Sequence, residues 1–99
     1  MSSDSDDELF MLPSKGYAMI DFGAEWCGPC KAIAPFFNSL KEKYPSIKFF
    51  KLDIDENQEM ARKYKIESIP AFILFKDGLE KDRLVGANKA KLEEMISKL

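Results

Sequence analysis

Strand-length apolar runs alternate with helix-like segments along this chain, and the alternation limits the fold more than any other feature of the sequence. The run at residues 17–22 is nearly unbroken, as expected of a strand buried on both faces, and residues 47–52 and 71–76 are predicted to be further strands. Apolar side chains at helical spacing predict helices between them, at residues 29–44 and 57–64. Because parallel strands need crossover connections, this order predicts the α/β class.

The two ends of the chain complete the predicted fold. A capping-box spacing predicts a short helix at residues 5–12, after an irregular or disordered stretch at residues 1–5. The Asp-Gly pair at 77–78 predicts a hairpin turn into an antiparallel strand at residues 79–86, and Asn88 can cap a last helix. We therefore expect a single domain over residues 1–99, with helices on both faces of a mixed sheet.

The composition excludes several classes of function. The chain has no histidine, so it has no Ser-His or Cys-His catalytic pair and no HExxH zinc site. Lysines alternate with acids and the net charge is −2, which does not favour a nucleic-acid partner. No apolar run reaches the ~20 residues that span a bilayer, and the acidic N-terminus lacks the basic region of a signal peptide. We expect a cytoplasmic protein with no cofactor, no metal and no membrane contact.

The reactive chemistry is concentrated in the only two cysteines of the chain, Cys27 and Cys30. They follow a predicted buried strand and open a predicted helix, where unpaired N–H groups and the positive end of the helix dipole stabilise a thiolate. Cys30 lies one turn after Cys27, close enough for a disulfide, and Pro29 has the backbone angle of a helix start. This context predicts a redox-active cysteine pair.

Two structural alternatives apply to the cysteines, and one applies to the neighbouring tryptophan. A purely structural disulfide would close a loop too short to constrain the unfolded chain much. Half of a zinc site would need its other ligands from a second copy of the chain, since no further Cys or His is present. Trp26 could be an ordinary core aromatic, but beside an exposed cysteine we interpret it as a shield and an apolar contact surface.

Several motifs together resemble the thioredoxin family: WCGPC, with DF-x-AEW before it, KLDID after it, SIP before AFILFK-x-G, and VGA before the last helix. The similarity runs from about Asp4 to the C-terminus. It implies a three-layer thioredoxin-like fold and a thiol–disulfide oxidoreductase that reduces protein disulfides. It also implies a thioredoxin-reductase-type electron donor. Gly28 and Pro29 between the cysteines resemble the reducing members of the superfamily.

The resemblance further implies roles for individual residues. Cys27 matches the surface nucleophile and Cys30 the resolving thiol, and together they match the redox-active disulfide. Asp21 matches a buried acid of the central strand, and Lys51 a lysine packed beside it. The implied substrate surface includes the family's cis-proline, and its residues are Trp26, Gly28, Pro29, Ile69, Pro70 and Gly86.

The residue chemistry supports a proton-transfer role for Asp21. A carboxyl buried in an apolar strand has a raised pKa, so Asp21 can accept and return the proton of Cys30 in place of the missing histidine. The alternatives are that Asp21 points outward from an edge strand and that Lys51 is simply solvated. For the whole protein, the alternative function is a redox-sensitive binding module that uses the groove around Trp26 and Pro70 without turnover.

The sequence departs from the family pattern in two places. Gly23 stands where the family usually carries a bulky aromatic residue, so we expect looser packing beside Asp21 and a more mobile loop. The family also begins with a strand before its first helix, and only a few polar residues precede the predicted helix in this chain. We therefore expect a four-stranded sheet with an open edge at residues 47–52, and a monomer or weak homodimer.

Overall fold

The computed structural model describes residues 12–99, which form a four-stranded sheet and three helices. The strands are β1 (Tyr17–Gly23), β2 (Ile47–Asp53), β3 (Ala71–Lys76) and β4 (Leu79–Val85). The helices are α1 (Gly28–Lys43), α2 (Gln58–Lys63) and α3 (Lys89–Ser97). The four strands, α1 and α2 begin and end within about a residue of their predicted positions, and α3 begins directly after the predicted cap Asn88. The predicted helix at 5–12 and the irregular stretch at 1–5 lie outside the described residues, except for Leu12, which is not helical.

The sheet is mixed and its strands follow the order β2-β1-β3-β4. β1 is parallel to β2 and antiparallel to β3, and β3 and β4 form the predicted antiparallel hairpin. The four-stranded α/β fold is thus confirmed for the described part of the chain. β1, which precedes the two cysteines, is a central strand with a neighbour on each side.

Two apolar cores lie on opposite faces of the sheet, because side chains alternate between the faces of a strand. Met19 of β1 packs in the core that α1 and α3 cover, with residues such as Ile33, Phe37 and Leu92. The other face carries Ala18, Ile20 and Phe22 of β1, against which residues of α2 and the following loop pack. Asp21 follows Met19 by two positions and therefore faces α1.

Helix ends are fixed by local hydrogen bonds. The side chain of Cys27 caps α1, and Pro29 occupies its first turn. Asn88 caps α3 as predicted, since its Oδ1 accepts a hydrogen bond of 3.0 Å from the backbone N–H of Lys91. An ion pair between Lys43 and Glu93 links α1 to α3 on the surface.

Within residues 12–99, the outer edge of β2 carries no further strand. Phe49 and Phe50 of this strand are only half-buried, on opposite faces of the sheet. The expected tendency to pair with a second copy along this edge stays a prediction, and sedimentation velocity over a series of protein concentrations tests it.

Candidate active site

The two cysteines form a disulfide at the start of α1, with their Cα atoms 5.2 Å apart. The backbone N–H of Cys30 donates a hydrogen bond of 3.1 Å to Cys27 Sγ. The N–H of Cys27 itself is held by the carbonyl of Ala24, at 3.1 Å. The first turn of the helix therefore directs the N–H of Cys30 and its positive dipole end at the sulfur of Cys27.

The prediction of an exposed nucleophile is wrong for the disulfide form. Cys27 is only 4% exposed and Cys30 only 6%. Both pack in a small cluster with Ala24, and the half-buried side chains of Ile54 and Ile69 cover that cluster. These two covering residues lie in different loops, both distant in sequence from the cysteines, so the local motif does not predict the burial.

Asp21 lies buried in the sheet, with 1% of its surface exposed. Its Oδ1 atom has no hydrogen-bond partner in the part of the chain that the structure describes. Burial raises the pKa of Asp21 to about 6, although the positive charges of Lys51 and Lys41 oppose this shift. The alternative of an outward-pointing Asp21 on an edge strand is excluded, because β1 is central.

Lys51 is the register partner of Asp21 across the parallel strands β1 and β2. Lys51 is exposed, in agreement with the alternative that it is a solvated lysine. Its charge nevertheless lowers the pKa of Asp21. The structure thus brings Lys51 beside Asp21 as an electrostatic neighbour.

A cavity of about 530 Å³ lies between β1, β2 and the start of α1. Its walls include Asp21, Gly23, Cys30 and Lys51, together with Asp53 and Glu56. The cavity therefore connects the buried carboxyl, its lysine neighbour and the second cysteine. The greater loop mobility expected from Gly23 stays a prediction.

Trp26 is 68% exposed at the surface beside the cysteines, so it is not a core aromatic. Its indole Nε1 donates a hydrogen bond of 2.8 Å to Oδ2 of Asp55 in the loop after β2. Asp55 was missed by sequence reasoning. Because β1 and β2 are parallel, their carboxyl ends meet at one edge of the sheet, and this rule could have directed attention to the acidic residues after β2.

The loop before β3 supplies the other side of the site. The peptide bond between Ile69 and Pro70 is cis, as the resemblance implied. Ile69 packs against the cysteine cluster. The N–H of Gly86 donates a hydrogen bond of 2.8 Å to the carbonyl of Pro70, and Gly86 has a φ of +109°, which favours glycine. The structure thus joins these three predicted surface residues to one another and to the cysteines. Ile69 and Gly86 are half-buried, whereas Pro70 is buried, so its prediction as an exposed surface residue is wrong for this form.

Gly28 and Pro29, the last two predicted surface residues, are exposed in the first turn of α1.

In residues 12–99, no group of three or more His, Cys, Asp or Glu side chains could hold a metal ion. None of the described helices is long and apolar enough to cross a membrane.

Comparison with known proteins shows which family has this arrangement of fold and site. The thioredoxin family model matches residues 4–98. A thioredoxin from Equus caballus is 47% identical over 81 residues, which are 82% of this chain and 77% of that protein. A thioredoxin H-type from Oryza sativa subsp. indica is 49% identical over 80 residues, 81% of this chain and 66% of the relative. The solved Fasciola hepatica thioredoxin has a TM-score of 0.86 at 41% identity, over 98% of this chain and 92% of that one.

The fold and the disulfide at the head of α1 define a thiol–disulfide oxidoreductase. The matching motifs extend over nearly the whole sequence, including the cis-proline loop and the last helix. The chain belongs to the thioredoxin family.

Proposed function

We propose that this protein reduces disulfides of other proteins by two successive exchanges at Cys27 and Cys30. The observation that carries the proposal is the capped disulfide at the start of α1, which adjoins the same cavity as the buried carboxyl of Asp21. The proposed sequence of steps needs only groups that this chain supplies and a substrate disulfide.

Cys27 is the attacking residue in this proposal. When the pair is reduced, the N–H of Cys30 that now donates to Cys27 Sγ is positioned to stabilise a thiolate there. The thiolate attacks one sulfur of the substrate disulfide, and a mixed disulfide forms. The other substrate sulfur leaves as a thiolate with the electron pair of the broken bond.

Cys30 resolves the mixed disulfide. Asp21 accepts its proton, for which a buried carboxylate oxygen with no hydrogen-bond partner among residues 12–99 is suited. The Cys30 thiolate attacks Cys27 Sγ and re-forms the disulfide, and the second substrate thiolate leaves. Lys51 acts on this step through its charge, because it favours the ionised form of Asp21.

The substrate binds, in our proposal, across the surface formed by Trp26, Gly28, Pro29, Ile69, Pro70 and Gly86. The exposed indole and the first turn of α1 border the disulfide on one side. The cis-proline loop borders it on the other, through the contact of Ile69 with the cysteine cluster. Since Pro70 has no N–H, an extended substrate segment would pair with the backbone of Ile69 in a strand-addition mode.

A thioredoxin-reductase-type donor would restore the dithiol. Members of the thioredoxin family act on disulfide substrates and receive electrons from such a reductase. A protein that acts as a reduced dithiol fits a compartment that keeps thiols reduced, such as the cytoplasm. The cytoplasmic location stays a prediction, and imaging of a tagged protein tests it.

Dithiothreitol-coupled reduction of insulin tests the proposed function. We expect the wild-type protein to accelerate the reaction and the double variant Cys27→Ser/Cys30→Ser to have no activity. The redox-sensitive binding module predicts the opposite pattern: no activity in the wild type, and a partner that still binds the double variant.

A further inference from the structure

The cavity of about 530 Å³ behind the disulfide has a buried inner end and an exposed rim. The inner end is lined by five buried residues: Asp21, Gly23, Ala24, Cys30 and Leu52. The volume lies within the range of about 300 to 1,000 Å³ that small-molecule sites have in proteins. The cavity is therefore large enough for a small organic molecule or a long side chain.

Asp21 directs one carboxyl oxygen at this inner end. Its Oδ1 atom lies 3.9 Å from the position that a Cβ atom would have on Gly23, and the same Cβ position lies 3.2 Å from Cys30 Sγ. Oδ1 has no hydrogen-bond partner among residues 12–99, and Asp21 is 1% exposed. Because a buried carboxylate without a donor is costly, a donor that reaches it through the cavity makes a strong, charge-assisted hydrogen bond.

The charges of the cavity wall favour a positively charged ligand. The rim carries five charged side chains: Glu25, Lys31, Lys51, Asp53 and Glu56. Acids outnumber lysines there by three to two, and Asp21 adds a fourth acid at the inner end. An anion would meet the two lysines at the rim but would be repelled by the carboxylate inside.

The shape of the cation follows from the inner end, which is apolar apart from the carboxyl. An ammonium group is strongly hydrated, so the loss of its water in such a place is costly. A guanidinium or amidinium group is flat and presents two parallel N–H donors, which match the two oxygens of a carboxylate. An apolar body behind this head can lie against Ala24 and Leu52, which are part of the same wall.

We propose that this cavity is a binding site for a planar cation, a guanidinium or amidinium group on an apolar body, which donates hydrogen bonds to the Asp21 carboxylate. A free small molecule and an arginine side chain of a bound protein both offer this chemistry. Binding needs no thiol exchange, so the inference goes beyond the proposed function and applies to the disulfide form.

The ionisation of Asp21 should control the affinity. Charged groups face Asp21 or the cavity from the surrounding elements: Glu25 before α1, Lys31 and Lys41 of α1, Lys51 and Asp53 of β2, and Glu56 before α2. On β3, the uncharged Phe72 is the register partner of Asp21. A bound cation favours the carboxylate, so it should lower the Asp21 pKa from about 6, and the affinity should fall as the pH drops below that value.

The first test is NMR spectroscopy of the oxidised protein with benzamidine as the probe and benzamide as its uncharged control. We expect saturable shifts of the amide signals of Ala24, Cys30 and Leu52 with benzamidine, and binding of benzamide that is weaker by about tenfold or more. With bound benzamidine, the titration midpoint of the Asp21 carboxyl should lie below about 6. Equal binding of the two compounds, or no binding of benzamidine, would overturn the proposal.

Two variants with opposite expected effects distinguish recognition of charge from a general change in the fold. At pH 8, Asp21→Asn should weaken benzamidine binding by about tenfold or more, because the charge-assisted contact is lost. Lys51→Gln should strengthen it, because Lys51 repels a cation in the cavity. Lys48→Gln, on the opposite face of β2, is the control and should leave the affinity unchanged. An affinity that Asp21→Asn does not reduce, or that Lys51→Gln reduces, would contradict the site.

A second arm identifies the source of the cation, and this arm alone rests on the proposed function. Two disulfide peptides are compared as substrates, one with arginine near the cysteine and one with its uncharged analogue citrulline. A higher kcat/KM for the arginine peptide, which benzamidine abolishes, would assign the site to a substrate side chain. Equal values for both peptides, with benzamidine binding intact, would assign it to a free small molecule. Reduction of neither peptide would contradict the proposed function and leave the binding site supported by the first arm.

Discussion

Asp21 and Lys51 are register partners across β1 and β2, so a buried carboxyl and an exposed ammonium border the same cavity behind Cys30. Burial raises the pKa of Asp21 to about 6, and the charge of Lys51 limits that rise. In the proposed mechanism, this relationship sets the pH above which Asp21 is ionised and can accept the proton of Cys30.

Replacement of Asp21 by asparagine should stabilise the fold at neutral and alkaline pH. A carboxyl whose pKa is raised on folding contributes its stability below its unfolded pKa, and the contribution is lost as the pH rises through the folded pKa. A rise from 3.8 to about 6 corresponds to about 3 kcal/mol. We expect the free energy of unfolding of Asp21→Asn to exceed that of the wild type by up to about 3 kcal/mol above pH 7. The difference should vanish toward low pH.

Urea unfolding at several pH values measures this difference. Glu42→Gln, which removes an exposed carboxyl from α1, is the matched control and should not reproduce the pH dependence. An Asp21→Asn protein that is no more stable than the wild type above pH 7 would contradict the cost assigned to the buried carboxylate.

Removal of the Lys51 charge should raise the pKa of Asp21 further, because Lys51 favours the carboxylate. In Lys51→Gln, the NMR titration of the Asp21 carboxyl carbon should have its midpoint above the value of about 6 in the wild type. Lys48→Gln is the control, since Lys48 is exposed on β2 at a position that faces the other side of the sheet. An Asp21 midpoint in Lys51→Gln below that of the wild type would contradict the electrostatic role of Lys51.

Asp55→Ala should release the indole of Trp26, whose Nε1 hydrogen bond to Asp55 spans 2.8 Å. Because Trp26 is the only tryptophan of the chain, the tryptophan fluorescence anisotropy reports on the mobility of this one side chain. We expect a lower fluorescence anisotropy and a loss of at most about 1 kcal/mol in the free energy of unfolding, as for one exposed hydrogen bond. Glu67→Ala, an exposed acid outside this loop, should leave the anisotropy unchanged, and an unchanged anisotropy in Asp55→Ala would show that the contact does not restrain the indole.

The sequence predicted the elements because each has its own local signal. The apolar run of β1 and the helical spacing of α1 are periodic patterns, and the Asn88 cap has a fixed offset. The role of Cys27 and Cys30 was also readable, because a strand followed by a CxxC helix start is a local motif. The cis bond at Pro70 was foreseen only from the family resemblance, since most X-Pro bonds are trans.

Tertiary placement explains what the sequence did not predict. Cys27 is buried because Ile54 and Ile69 arrive from separate loops. The hydrogen bond from Trp26 to Asp55 depends on the parallel pairing of β1 with β2. Gly23 departs from the family pattern at the level of sequence, but its closeness to Cys30 Sγ follows only from how α1 packs on β1.

The most direct test of the central claim is mass spectrometry of single-cysteine variants after incubation with insulin. Two-step exchange predicts that Cys30→Ser accumulates a covalent adduct at Cys27, which dithiothreitol removes, and that Cys27→Ser accumulates almost none. Adducts in neither variant, or in both to the same extent, would contradict the assignment of Cys27 as the attacking thiol and Cys30 as the resolving one.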